Sequence, residues 1–425
     1  MACMKYCLSI LLLLFASNAK AQCDTSFRPV VFVHGFLASG DTWANAVHSF
    51  QQVGYCTNRL YAFDWNSVGG NGKRNDSLLH QFITQILTQT GASQVDLVGH
   101  SAGGGLGRSY LKDSTRAKSI AHYVHIGSRK WTSAYPWFPN NRCMNIFSSG
   151  DKVAANTAGL VEGAFNLALE EQDHYQVATS DTSIKKMLQF FSGKQTPSKS
   201  SPESRKVVLS GRAVILGDNL AMGDAAINIY AIQEKNGQRK KADQPILLKT
   251  DQSGAWGPVT LRAGIPYEME LIPAGANKRI ISYFFPRFDY SNPLVYLRGF
   301  PEDGRMTFLL GKIPAIETQS TLVVYSAAQA MVGGRDSVTV NGLPICSPTL
   351  TPASKTAITS FVFDDGDAIN SGKALKQFSN VPFIGGVDMV LPANAKKGIR
   401  MYYNGQQLTL PARPSKERIL LAVFR

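Results

Sequence analysis

The stretch "VDLVGHSAGGGLGRSY", Val95 to Tyr110, decides how the first half of this chain reads. An apolar run, Val95–Val98, leads into Gly99-His100-Ser101-Ala102-Gly103, and a helix-like pattern follows. Glycine weakens a helix by roughly 1 kcal/mol relative to alanine, so Gly103, Gly104, Gly105 and Gly107 near one helix start need a reason. G-x-S-x-G between a strand and a helix supplies part of it. The serine sits on a turn too tight for flanking side chains, and its Oγ is lifted above the sheet. It then lies at a helix N-terminus, whose dipole favours developing negative charge. For Gly104, Gly105 and Gly107 two readings stay open, close helix–sheet packing and room for a bound molecule.

A nucleophilic serine needs a base, an acid that orients the base, and an oxyanion hole. Two backbone N–H groups form such a hole, one on the residue after the nucleophile and one on the loop after an early strand. Those residues are Ala102 and, in "VVFVHGF", Phe36. The acid is expected just past a later strand, where "MNIFSSGDKVA" offers Asp151. The base is expected in a loop before the last helix, and "EEQDHYQVATSDTSIKKMLQFF" offers His174. His100 occupies the variable elbow position and His34 the oxyanion loop. His48, His80, His122 and His125 all precede the acid. Asp173 adjoins His174 too closely to reach around the ring, and Asp181 is a competitor for the acid role. The order Ser101, Asp151, His174 is the one that α/β-hydrolases use.

Outward from this stretch, short apolar runs alternate with helical patterns. The runs are Val30–Val33, Leu60–Phe63, Val95–Val98, Tyr123–Ile126 and Met144–Phe147. From Asp76 to Thr90 the residues Leu78, Leu79, Phe82, Ile83, Ile86 and Leu87 fall on one helix face, with Gly91 at the C′ position. A second helix is expected over Thr182–Phe191, before Gly193. Such alternation predicts a mostly parallel sheet covered by helices. The polar "GKQTPSKSSPESRK", Gly193 to Lys206, reads as a linker over 194–205. Beyond it lie alternating runs such as "ILLKT", "YEMEL" and "RMTFLL". The turn signals Asn236-Gly237, Asn341-Gly342 and Asn404-Gly405 punctuate them. That half, 206–425, is expected to be β-rich, of sandwich or barrel type, in one unit or in two (about 206–290 and 291–425).

The chain of 425 residues is long enough for two or three domains. Lys5, the apolar Leu8–Ala16 and Ala19-Lys20-Ala21 read as a signal peptide over 1–21, with the mature chain starting at Gln22. Cys23 lies one place too late for a lipoprotein signal. The expected location is therefore outside the cell, or the periplasm. In such an oxidising place Cys23 and Cys56 each precede a strand of one parallel sheet, so they are expected to pair. Cys143 and Cys346 are left either paired across the halves or free. The formal charge of +14 falls mainly after residue 193. No recognisable nucleic-acid motif accompanies it, so solubility or attraction to an anionic surface is the reading. "FDDGD", Phe363–Asp367, does not complete an EF-hand and reads as a solvated acidic turn. No histidine and carboxylate cluster has metal-ligand spacing, and neither metal nor cofactor is expected.

Residues 28–193 resemble the α/β-hydrolase superfamily on its lipase side, through "FVHGF", "VDLVGHSAGG", "SSGDKVA" and "DHYQV". The whole chain resembles two-domain microbial lipases and esterases with a β-rich C-terminal domain associated with long acyl chains. That second likeness rests on "GDAAINIYAI", "GAWGPVTLRAGIPYEMEL" and "NVPFIGGVDMVLPAN". "TDQSGAWGPVTLRAGIPYEMEL" also looks like the small transthyretin-like sandwiches appended to secreted enzymes. The resemblance implies a secreted serine hydrolase of lipid or other apolar esters, acting at a lipid or polymer surface, with no protein partner expected. Rival readings are a cutinase-like polyester depolymerase and an adhesion protein with a vestigial hydrolase domain. The aromatic insert (Trp131, Tyr135, Trp137, Phe138) and the segment Val153–Leu169 are candidates for an acyl-pocket wall, against a bland reading as core packing. The insert is too short for a large lid. The β-rich half, with Tyr283-Phe284-Phe285, is expected to shelter long acyl chains.

Overall fold

Buried on both faces, the four residues of β1 (Val30–Val33) are apolar throughout, as a strand inside a helix-covered parallel sheet must be. The computed structural model describes residues 23–69, 72–195, 205–275, 278–301, 307, 310 and 312–424. The expected signal peptide, most of the linker and most of "RMTFLL" lie outside the described residues. The first half forms β1, α1 (Ala44–Gln52), β2 (Leu60–Phe63), α2 (Gly72–Thr90), β3 (Val95–His100), α3 (Ala102–Leu111) and α4 (Ser114–Ala117). It continues with β4 (Ile120–Ile126), β5 (Cys143–Ser148), β6 (Phe165–Leu169), α5 (Gln176–Thr179) and α6 (Asp181–Ser192). Its six strands pair in parallel in the order β2-β1-β3-β4-β5-β6.

Alternate residues of β1 serve two cores. Val30 and Phe32 pack with Trp43 and Phe50 of one flank and with Ile184, Met187 and Leu188 of α6. Val31 and Val33 pack with Leu79, Ile83 and Ile86 of α2 and with Leu106 and Tyr110 of α3. Phe82 and Leu87 lie against the second core, while Leu78, read onto the same face, is 39% exposed. Gly91 and Gly193 end their helices with φ of 65° and 69°, the left-handed conformation that glycine adopts freely. Cys23 and Cys56 are disulfide-bonded, and Cys143 and Cys346 are buried free thiols. Among the described residues no helix is long and apolar enough to cross a membrane.

The second half begins with β7 (Lys206–Ile215), β8 (Ala226–Ala231), β9 (Ile246–Lys249), β10 (Ala255–Arg262), β11 (Tyr267–Ile272), β12 (Ile280–Phe285) and β13 (Asn292–Gly299). Then come β14 (Leu322–Ser326), β15 (Val338–Val340), β16 (Leu343–Pro344), β17 (Thr359–Phe363), β18 (Ile384–Asp388), β19 (Ile399–Tyr403), β20 (Gln406–Leu410) and β21 (Arg418–Phe424). An eight-stranded sheet, β18-β17-β14-β21-β12-β11-β8-β9, lies between a three-stranded sheet, β10-β7-β13, and a four-stranded one, β16-β15-β19-β20. Asn341-Gly342 and Asn404-Gly405 turn β15 into β16 and β19 into β20, all four residues with positive φ.

Strands from both sides of residue 290 share sheets. β13 pairs with β7 across it, and β12 pairs with β21. Tyr283, Phe284 and Phe285 are core residues on the two faces of the large sheet, so they are not free to shelter an acyl chain. The core between the large and the three-stranded sheets also takes in Leu37, Ala38 and Tyr175 of the first half.

Candidate active site

Ser101 joins β3 to α3 with φ 54° and ψ −121°, a conformation that side-chain-bearing residues seldom adopt. The local sequence allows the turn because its neighbours lack side chains. A Cβ on Gly99 would stand 2.5 Å from the Gly103 carbonyl oxygen, and one on Gly103 would stand 2.5 Å from the carbonyls of Val33 and His34. The Gly104 and Gly107 positions are filled by Ser128 and the Tyr123 ring respectively, whereas Gly105 faces open space. Helix–sheet packing therefore accounts for all of these glycines except Gly105.

The structure brings together the residues that the sequence singled out. His174 Nε2 lies 2.8 Å from Ser101 Oγ, and its Nδ1 lies 2.8 Å from Asp151 Oδ2. His174 and Asp151 are almost wholly buried. Asp151 Oδ1 accepts the N–H groups of Val153 and Ala154, each at 2.9 Å. Burial pushes the Asp151 carboxyl up, but the hydrogen bond and charge of His174 and the Ala154 N–H outweigh it, and the group is held below the usual carboxylate range. Asp181 is exposed in the first turn of α6. Asp173 faces away from the ring nitrogens, its Oδ1 accepting the N–H groups of Tyr175 and Gln176.

The loop after β1 lies against the serine, since a Cβ on Gly35 would be 3.1 Å from Ser101 Cβ. Phe36 follows Gly35 there, and Ala102 opens α3 with no preceding turn to take its N–H. Leu37, next in the loop, has φ 58°. His100 is fully buried, and its Nε2 donates to the backbone oxygen of His174 at 2.7 Å. Burial, together with the charge of His174, pushes its imidazole down to about 3. It stays neutral and holds the histidine loop.

Three matches to known families follow the architecture. Residues 27–127 match the profile described as lipase (class 2), and residues 205–299 match the lipase C-terminal domain. Residues 312–424 match the profile of a further C-terminal domain. The first half is thus similar to class 2 lipases over its first four strands, and the β-rich half to a lipase C-terminal domain over its first seven. Solved structures similar to this chain include a Bacillus licheniformis lipase in mature form, 17% identical, with 40% of this chain and 91% of that one covered and a TM-score of 0.30. The propeptide form of that lipase is 13% identical over 60% of this chain and 71% of the other, with a TM-score of 0.32. A Bacillus subtilis carboxylesterase is 12% identical over 41% and 87%, with a TM-score of 0.30. The lipase family supports a carboxylic ester hydrolase.

The residues offered as acyl-pocket walls fall in different surroundings. Trp131 and Tyr135 sandwich the Arg108 guanidinium at 4.3 and 4.0 Å, which ties the insert to α3, and Phe138 is buried in the core beneath. Val153, Leu160 and Phe165 are exposed, while Val161 is buried. Phe165 begins β6, an edge strand that the sequence reading did not anticipate. The C-terminal half also brings an apolar ring beside the chemistry. Phe383, with φ 67°, stacks 6.2 Å from the His174 ring and lies 6.0 Å from Phe36. Nothing in "NVPFIGGVD" except its apolar run points to that role.

Proposed function

We propose that this chain is a secreted lipase or esterase in which Ser101, His174 and Asp151 hydrolyse apolar carboxylic esters through an acyl-enzyme. The observation that carries the reading is the continuous hydrogen-bonded line from Ser101 Oγ through His174 to Asp151. Ser101 Oγ attacks the ester carbonyl carbon while His174 Nε2 takes its proton. The N–H groups of Phe36 and Ala102 receive the oxyanion, and Asp151 stabilises the imidazolium that forms. Collapse of the tetrahedral intermediate breaks the bond to the alcohol oxygen, which leaves with the proton from His174. Water then gives a proton to His174 and attacks the acyl carbon, and the carboxylic acid departs as Ser101 regains its hydrogen. The sequence signal before Gln22 and the Cys23–Cys56 bond support export.

Apolar esters fit Phe36 and Phe383 at the site's edge. The test is a series of p-nitrophenyl esters from acetyl to stearoyl with the full chain and with Ser101→Ala. Turnover that depends on Ser101 and rises with acyl length supports the reading. A Ser101→Ala protein as active as the parent overturns it.

A further inference from the structure

Both loops that complete the site are gripped from the C-terminal half by polar side chains, buried Asn219 and exposed Arg335, that the reaction itself does not use. The oxyanion loop is the first. Asn219, 7% exposed and with φ 59°, donates through Nδ2 to the carbonyls of Ala38 (2.9 Å) and Trp65 (3.1 Å). The same nitrogen lies 3.2 Å from His34 Nε2, and Oδ1 accepts the Ser39 hydroxyl. His34 is fully buried, and burial lowers its pKa, so the ring is neutral. Nδ1 lies 2.8 Å from the Gly35 carbonyl, leaving Nε2 as an acceptor for the Trp65 N–H. One amide thus fixes the loop on both sides of Phe36. Leu37 holds its left-handed backbone between those fixed points, and such a conformation persists only where its surroundings over-determine it.

The loop that carries His174 is the second. Asp173 Oδ2 accepts the N–H of Ala330 at 3.1 Å and the Arg335 guanidinium at 2.8 Å. Arg335 also donates to Gln176 Oε1 at 2.8 Å, and the Thr179 hydroxyl donates to the Ala328 carbonyl. Asp173 therefore joins the start of α5 to the C-terminal half while its other oxygen caps that helix.

We infer that the C-terminal half positions the catalytic groups, Asn219 setting the oxyanion loop and Arg335, through Asp173, setting the His174 loop. The inference rests on the ester-hydrolase reading above. Both are positioning residues. They act on every ester, short or long, because what they hold is the geometry of the transition state, and a displacement of about 1 Å there costs on the order of a hundredfold in rate.

The test measures kcat and KM for the soluble p-nitrophenyl butyrate with the full chain, together with the affinity for a butyl trifluoromethyl ketone. Ser101 adds to that ketone, and the resulting oxyanion occupies the same hole. Asn219→Asp keeps size and acceptor but removes both donors. It should lower kcat and weaken the ketone in parallel, by roughly ten- to a hundredfold, with KM within about threefold. Arg335→Met should lower kcat by about tenfold, and Arg335→Lys should restore most of it. Tyr290→Phe removes a cross-half bond to Asn45 outside both loops, so it should lower melting temperature and leave kcat unchanged. The inference is overturned if folded Asn219→Asp keeps the parent kcat and ketone affinity, or if Tyr290→Phe loses as much kcat as it does. Should Asn219→Asp not fold, Arg335→Met at the parent kcat overturns it equally. A Ser101→Ala protein with full activity would instead sink the ester-hydrolase reading and leave a distinct signature.

Discussion

Three hydrogen bonds position His174. Asp151 takes one nitrogen, Ser101 meets the other, and His100 holds the backbone carbonyl. Ser101→Ala and His174→Ala should each abolish ester turnover, and Asp151→Asn should cost somewhat less, with losses on the order of a thousandfold or more. Asp181→Asn should be neutral, because that carboxylate is exposed on α6. These rates are read with p-nitrophenyl butyrate, and a silent Asp151→Asn would refute the assignment. His100 has a separate consequence for stability. Its folded pKa is down at about 3, whereas an unfolded chain protonates near 6.5. Between those values the unfolded state binds the extra proton, so stability falls as pH falls, by about 1.4 kcal/mol per pH unit for one proton. His100→Gln should flatten urea-derived stability against pH by that one proton below about pH 6.5; an unchanged slope would mean that His100 is not held neutral.

At the scale of elements, α3 tests how its glycines divide. Gly105→Ala should stabilise the protein by about 0.5–1 kcal/mol, since its Cβ meets open space on a helix. Gly103→Ala should destabilise it and cut turnover, because the new methyl meets the backbone of the oxyanion loop. Thermal melts of the two variants should shift in opposite directions, and a shift in the same direction would contradict the packing described. Much of this was legible beforehand. The elbow, the strand runs and the Asn-Gly turns are local patterns, set by steric rules over a few residues. β6 was not, because "FNLAL" is short, partly exposed and rich in residues equally suited to helices. Nor were Glu268 and Glu270. Their alternation in "YEMEL" suggests a wet face, yet both are buried, paired with Arg239, Arg413 and Arg418 brought from distant sequence.

Across the whole molecule, the sequence divides into two halves more sharply than the packing does. Leu37, Ala38 and Tyr175 share a core with the C-terminal sheets. Asp41 pairs with buried Arg298, and Asp64 with Arg212 and Tyr296. Such contacts are invisible in sequence, since each of these polar pairs joins residues more than a hundred positions apart. A chain ending at residue 195 should therefore lose butyrate and laurate turnover together. That differs from the expectation that only long esters would suffer. Retained butyrate turnover in that fragment would show that the first half assembles its site alone. The central claim, that Ser101 is an activated nucleophile, is tested most directly with a fluorophosphonate on the full chain. Its Oγ should displace fluoride at phosphorus, so intact mass should rise by one phosphonyl group per chain, peptide mapping should place the adduct on Ser101, and ester turnover should vanish in proportion. An unlabelled Ser101, or full turnover in the labelled protein, would contradict the account.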